Sequence, residues 1–283
     1  MRFQETLYPE WGQNFANDRI LFEIETDHQH LVIFENTRFG RVMALDGVIQ
    51  TTESDEYIYH EMMVHVPLLS LAEPKRVLII GGGDGGILRE VLKHPSVSHV
   101  TQVEIDRAVV DLCREYFPKH SAGAFDDPRL DLVIADGATF MEQCEETFDC
   151  IITDSTDPIG PGEVLFESRF YQQCAKCLTE TGVLVTQNGV PFMQGDEVTN
   201  TYRRWRDLFV TRRFYLTTVP TYAGGPMAMG YAQKQQTAIP STDVLDQRSQ
   251  SLGPLRYYTP EVHHGAFGLP QYVQELMTDS KMA

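Results

Sequence analysis

Six consecutive residues, Gly81-Gly82-Gly83-Asp84-Gly85-Gly86, follow directly on the apolar run Val77 to Ile80 and lead into a helical pattern from about Ile87. Five glycines in six positions permit a sharp turn and let a ligand approach the main chain. A strand, such a loop and a helix in that order predict the first unit of a parallel sheet, with unpaired amides of the helix start beside the ligand. Gly81, Gly83 and Gly86 satisfy GxGxxG, and Glu104, 23 residues beyond Gly81, ends the next apolar run, Val100 to Ile105. A carboxylate there can accept both hydroxyls of a ribose, so the pattern predicts a nucleoside-bearing ligand.

Leu130 to Ala135, Cys150 to Thr153 and Val183 to Gln187 continue the alternation of strand-like and helical stretches. This predicts an α/β, Rossmann-like doubly wound sheet of the methyltransferase-like kind. Phe214 to Val219 and Met227 to Ala232 have no clear crossover helix between them, so an antiparallel hairpin is expected at the sheet edge. Upstream, residues 20–52 alternate apolar with polar and carry the hairpin signal Asp46-Gly47, which predicts a small antiparallel β domain. A helix from about Asp55 to Leu69 then leads into the larger unit, giving expected domains of 1–54 and 55–283.

The chain holds 40 Asp plus Glu against 23 Lys plus Arg, a formal charge of −17 over 283 residues. That balance repels nucleic-acid phosphates and suits a cationic partner. Position sharpens the inference: Asp84, Glu104, Asp136 (followed by Gly137) and Asp154 all fall at carboxyl ends of predicted strands, where an open α/β sheet forms its ligand crevice. An acid within the glycine loop sits badly beside a pyrophosphate and well beside a cation, which favours a sulfonium such as S-adenosylmethionine over a dinucleotide. Beyond the fourth strand, Asp154-Ser155-Thr156-Asp157-Pro158-Ile159-Gly160-Pro161 is a turn whose two aspartates can share an ammonium. Crowding between them is expected to raise the pKa of one, making it a better base.

Other chemistries are disfavoured. Five cysteines (Cys113, Cys144, Cys150, Cys174 and Cys177) are expected to be reduced thiols, with Cys174 and Cys177 packing on a helix and binding no zinc. His60-Glu61-Met62-Met63-Val64-His65 is not HExxH, because its second histidine lies at i+5, about 140° around a helix from the first. No basic start precedes an apolar run and none approaches the ~20 residues of a membrane span, so a cytoplasmic protein without a membrane partner is expected.

Leu45-Asp46-Gly47-Val48-Ile49-Gln50, Asp55 to Met62, Gly81 to Gly86, Val103 to Asp106, Asp154 to Pro161 and Pro220 to Gly225 occur in one order across nearly the whole chain. This set resembles the spermidine synthases, the polyamine aminopropyltransferase family, and is most similar to bacterial members. The resemblance implies transfer of the aminopropyl group of decarboxylated S-adenosylmethionine to putrescine, without a metal, in a homodimer or homotetramer. It implies that Gln29 and Glu104 hold the nucleoside, Asp136 and Gly137 the adenine, and Asp84 the aminopropyl amine, with Pro161 lining the pocket. It places Asp154 as proton acceptor, with Tyr59, His60, Ser155, Thr156, Asp157 and Tyr222 around the diamine, Gln50 nearby, Trp11 walling the acceptor tunnel and Gln187 on the acceptor side. The position of His60 is glutamine in many eukaryotic members, which implies a hydrogen-bonding role. A small-molecule methyltransferase on the same fold and a non-catalytic polyamine-binding module are the alternative readings.

Overall fold

In a computed structural model, residues 2–155 and 164–278 are described. The chain opens with the antiparallel pair β1 (Arg2–Gln4) and β2 (Asn14–Ala16). β3 (Arg19–Glu25), β4 (His30–Asn36), β5 (Gly40–Leu45) and β6 (Val48–Thr52) follow as an antiparallel sheet in chain order. The turn between β5 and β6 is Asp46-Gly47, both at positive φ, as a two-residue hairpin requires. The period-2 pattern splits this sheet into two buried faces. Leu31, Ile33, Met43 and Leu45 pack against Val109, Cys113 and Phe117 of the following segment, while Val32, Phe34, Val42 and Ala44 pack with Phe15.

α1 (Glu56–Ser70) is buried along most of its length and carries Pro67 inside. Asp55 is its N-cap residue and makes no side-chain cap bond, because its carboxylate is engaged elsewhere. The larger unit continues with β7 (Arg76–Gly81), α2 (Gly86–Leu92), β8 (His99–Glu104), α3 (Arg107–Tyr116), α4 (Pro118–Ser121), β9 (Leu130–Ile134), α5 (Gly137–Gln143) and β10 (Phe148–Asp154). Then come α6 (Ser168–Cys177), β11 (Leu178–Gln187), α7 (Gly195–Arg204), β12 (Thr211–Thr217), β13 (Met227–Gln233), α8 (Thr242–Ser249), α9 (Pro260–Ala266) and α10 (Gln271–Leu276).

Among the described residues, seven strands form one sheet in the order β12-β13-β11-β10-β7-β8-β9. The run from β11 to β9 is parallel, and β13 lies antiparallel to both β11 and β12, so the expected hairpin does close one edge. The fold is the expected Rossmann-like doubly wound sheet with a small N-terminal antiparallel sheet. β11 starts at Leu178, earlier than its apolar run, because a register shift opposite Phe148 and Cys150 accommodates the polar residues Thr179 to Thr181. The CxxC residues are buried free thiols packed in one core with Phe170, Tyr171 and Trp205. Among the described residues no helix is long and apolar enough to cross a membrane.

β7 sits at the switch point, with β8 on one side and β10 on the other, so the loops leaving it and β10 part and open a crevice. At that point Gly81 pairs in register with Asp154. Gly81 has φ +87°, and a Cβ there would fall inside the van der Waals shell of the Asp154 carbonyl. Gly123 has nearly the same φ, +85°, with nothing within 4 Å of its notional Cβ. Urea unfolding should therefore show Gly123→Ala costing about 1–2 kcal/mol, the backbone term alone, and Gly81→Ala costing at least ~2 kcal/mol more. Equal costs would contradict the close approach of β7 and β10.

Candidate active site

A cavity of about 380 Å³ lies at the carboxyl edge of the sheet, between it and the N-terminal sheets. Its floor is the glycine loop. Gln102, reaching up from β8, donates from Nε2 to the carbonyls of Gly81 (3.0 Å) and Gly82 (2.7 Å), and Asp84 Oδ1 accepts the Gly86 amide at 2.8 Å. Gly81, Gly82, Gly83 and Asp84 line the cavity. Gly85 and Gly86 are not among the lining residues. Gly86 faces α1, so closely that a Cβ would overlap the ring of His60.

The nucleoside candidates come from separate elements held by short bonds. Glu104 ends β8, and its Oε1 accepts the Asp106 amide at 3.0 Å. Burial pushes its carboxyl up to about 7 against the pull of that amide. Asp106 Oδ2 in turn accepts from Gln29 Nε2 (3.1 Å) and Thr26 Oγ1 (2.7 Å), which draws the turn after β3 over the cavity. Asp136 caps α5 by accepting the Thr139 amide at 2.7 Å, and with Gly137 it lines the cavity wall.

Two further acids behave in opposite ways. Burial, followed by the charge of Asp84, raises the Asp154 carboxyl to about 6, although Tyr59 donates to its Oδ1 at 2.5 Å. Burial would also raise Asp84, but His60 Nε2 lies 3.2 Å from its Oδ2 and holds the carboxyl well below the usual range. His60 Nδ1 lies 2.6 Å from Glu56 Oε2. Burial works against the imidazolium, yet the Asp84 and Glu56 carboxylates raise the ring to about 10. Both ring nitrogens of His60 therefore face a carboxylate oxygen at hydrogen-bond distance, an arrangement that favours the imidazolium. Thr156, Asp157 and Pro161, and with them the expected crowding between Asp154 and Asp157, lie outside the described residues.

On the other side of the cavity, Tyr222 donates to the Gln50 carbonyl at 2.6 Å, and its ring lies 5.9 Å from that of Tyr59. Gln187 donates from Nε2 to the Ser155 carbonyl at 3.2 Å and accepts the Gly189 amide at 2.5 Å. Gln50, Tyr59, His60, Asp154, Ser155, Gln187 and Tyr222 all line the cavity. Trp11 does not: it is 48 % exposed and stacks on Tyr8, which supplies the lining surface in its place.

Two contributors are not among the expected site residues. Glu5, 5 % exposed, lines the far end of the cavity, its carboxylate accepting the Ile49 amide at 3.1 Å and Gln13 Nε2 at 3.2 Å. It stands in a polar stretch without periodicity, so only the β1–β2 pairing brings it inward. Asp55 Oδ2 accepts from both the amide (3.0 Å) and the hydroxyl (2.8 Å) of Thr221, fixing the loop that presents Tyr222. His65 is fully buried between Glu90 (2.9 Å) and His94 (3.0 Å), away from His60. Among the described residues no group of three or more His, Cys, Asp or Glu side chains is arranged to hold a metal ion.

The whole is an acid-lined cavity in which the surroundings hold Asp84 low and raise Glu104 and Asp154, an arrangement suited to binding cations and accepting a proton from one.

Residues 56–243 match the spermine/spermidine synthase domain and residues 1–53 the spermidine synthase tetramerisation domain. The chain is 60 % identical to polyamine aminopropyltransferase 1 of Pseudomonas aeruginosa over 96 % of both chains. It is 54 % identical to the polyamine aminopropyltransferase of Pectobacterium carotovorum over 98 % of this chain and 97 % of that one. Among solved structures, a spermidine synthase in complex with the transition state analogue AdoDATO superposes with a TM-score of 0.92 at 40 % identity, covering 98 % of this chain and 94 % of that one. The spermidine synthase of Thermotoga maritima superposes with a TM-score of 0.89 at 38 % identity over the same shares.

Removing the carboxylate of Asp55 leaves the buried Thr221 donors unpaired. Asp55→Ala should cost about 3 kcal/mol in urea unfolding and speed amide exchange at Thr221. A change within about 0.5 kcal/mol and unaltered exchange would mean that Asp55 does not fix the loop.

Proposed function

This chain belongs to the spermine/spermidine synthase family, and from that premise we propose that it transfers the aminopropyl group of decarboxylated S-adenosylmethionine to putrescine, giving spermidine and 5'-methylthioadenosine. The observation that carries the reading is the division between Asp84 and Asp154, two carboxylates on one cavity whose surroundings push their pKa values apart.

Glu104, with Gln29 beside it, accepts the ribose hydroxyls, and Asp136 and Gly137 face the adenine. Asp84, always ionised, takes the ammonium of the aminopropyl arm; the extra carboxylate of ordinary S-adenosylmethionine would stand close to it and be repelled. Putrescine enters as a dication with ammonium pKa values near ~10 and has no lone pair until a proton leaves. Asp154, about 6 and so ionised near neutrality, accepts that proton while Tyr59 holds its Oδ1. The freed nitrogen forms a bond to the carbon beside sulfur as the carbon–sulfur bond breaks, and its electron pair leaves with a neutral thioether. With no anionic intermediate to stabilise, alignment of nitrogen, carbon and sulfur supplies most of the acceleration. Glu5 receives the distal ammonium, with Tyr222, Gln50 and Gln187 along the diamine; Thr156, Asp157 and Pro161, which the family resemblance assigns to the substrates, lie outside the described residues. We also place the protein in the cytoplasm, which keeps its five thiols reduced, and as a homo-oligomer through residues 1–53, which match the tetramerisation domain.

Incubation with putrescine and decarboxylated S-adenosylmethionine should release methylthioadenosine; a methyltransferase or a binding module would release none. Asp154→Asn should lower kcat on the order of 10²-fold or more while the sulfonium still binds. Glu5→Gln should raise KM for putrescine on the order of tenfold with the sulfonium KM unchanged. Near wild-type turnover in the first variant, or an unmoved putrescine KM in the second, would contradict the respective role.

A further inference from the structure

Of the two carboxylates that grip His60, only Asp84 lines the reaction cavity. Glu56 lies behind, lining a separate cleft with Arg89, Lys93, Lys119 and Arg256, and so touches no substrate bound in the main cavity. It is held in turn by Arg89, whose guanidinium lies 2.9 Å from Oε2 and 3.2 Å from Oε1. Arg89 is itself fixed by Glu90 at 2.7 Å and by the carbonyls of Lys119 and His120 at 3.1 and 2.7 Å. The imidazole is wedged against Gly86 at the start of α2, where there is no space for even a Cβ.

A neutral imidazole has one N–H. Facing an acceptor on each nitrogen, at 2.6 Å and 3.2 Å, the ring satisfies both only as a cation. We propose that Glu56, seated on Arg89, is a positioning residue for the transfer reaction: by accepting the Nδ1 proton it holds His60 as a two-donor cation against Asp84, so that Asp84 stays ionised and Asp154 is left as the carboxylate that accepts the proton. The proposal rests on the aminopropyl-transfer reading above.

The other groups around the ring agree with this division. Tyr59 on the same helix lies 5.6 Å away edge-on and bonds Asp154, not Asp84. His120 of α4 lies 6.2 Å away and bonds Thr51 Oγ1 at 2.9 Å; burial drives it toward its neutral form, so its charge adds less to holding Asp84 down than His60 does. Glu90 is occupied by Arg89, Lys93 and His65. Removing the Glu56 charge takes away one of the two carboxylates that hold the His60 proton, so the ring gives it up at lower pH than in the wild type. Asp84 then loses its counter-charge, Asp154 loses a nearby cation, and the pair holds a proton to higher pH.

The test follows kcat/KM for methylthioadenosine release against pH. In the wild type activity should fall as pH drops through about 6, where Asp154 takes up its proton. In Glu56→Gln that acid limb should move up by about one pH unit or more, and in a His60→Gln background the same substitution should leave the limb unmoved. A uniform loss of rate with the limb still in its wild-type place would reduce Glu56 to a structural support and overturn the proposal. Should Glu56→Gln fail to fold, the imidazole nitrogen resonances of wild-type His60 decide: an imidazolium retained to pH ~8.5 upholds the clamp, and titration near pH ~6.5 overturns it. Absence of methylthioadenosine from the wild type would refute the reaction, whereas the nitrogen resonances still test the clamp alone.

Discussion

Asp84 and Asp154 face one cavity from neighbouring strand ends, and two carboxylates so placed cannot both behave as surface acids. The fold resolves this by giving them different neighbours. A histidine cation stands against Asp84, while Asp154 has a tyrosine hydroxyl, whose single hydrogen bond only partly offsets burial. Each arrangement depends on the glycine loop. The close pairing of Gly81 with Asp154 sets the two acids near each other, and the bare Cα of Gly86 lets the His60 ring lie against the start of α2.

α1 is the element through which these demands are met. Its first turns present Tyr59 and His60 toward the site with Glu56 behind the ring, and Asp55 before it ties down the loop of Tyr222. Further along, Glu61 accepts the amides of Arg256, Tyr257 and Tyr258, all at 2.8 Å, anchoring the C-terminal segment, and His65 joins Glu90 on α2. A helix carrying this many polar groups would ordinarily keep them in water. Here every one of them finds a partner within the protein, which allows a polar helix to run through the interior.

The parts of the site legible in the sequence are those fixed by local order. A glycine loop after a strand, and acids at strand ends, must meet at the carboxyl edge of a parallel sheet whatever the details, so Asp84, Glu104, Asp136 and Asp154 could be placed together beforehand. Contributions that depend on tertiary approach were not legible. Glu5 reaches the cavity through strand pairing, Gln102 of β8 donates to the carbonyls of the glycine loop, and Glu56 is held by Arg89 from another helix. Trp11 shows the converse: in a segment without period nothing fixes which aromatic turns inward, and it is Tyr8 that does. The start of β11 was hidden for a similar reason, since an irregular register lets polar residues occupy strand positions.

The central claim is that one cavity keeps Asp84 charged while making Asp154 a base, and carboxyl carbon resonances of the ligand-free protein read both groups at once. The account predicts an Asp154 midpoint of about 6, with Asp84 ionised throughout the range in which Asp154 titrates. Midpoints for both near the ordinary aspartate value of ~4, or an Asp84 midpoint above that of Asp154, would contradict it.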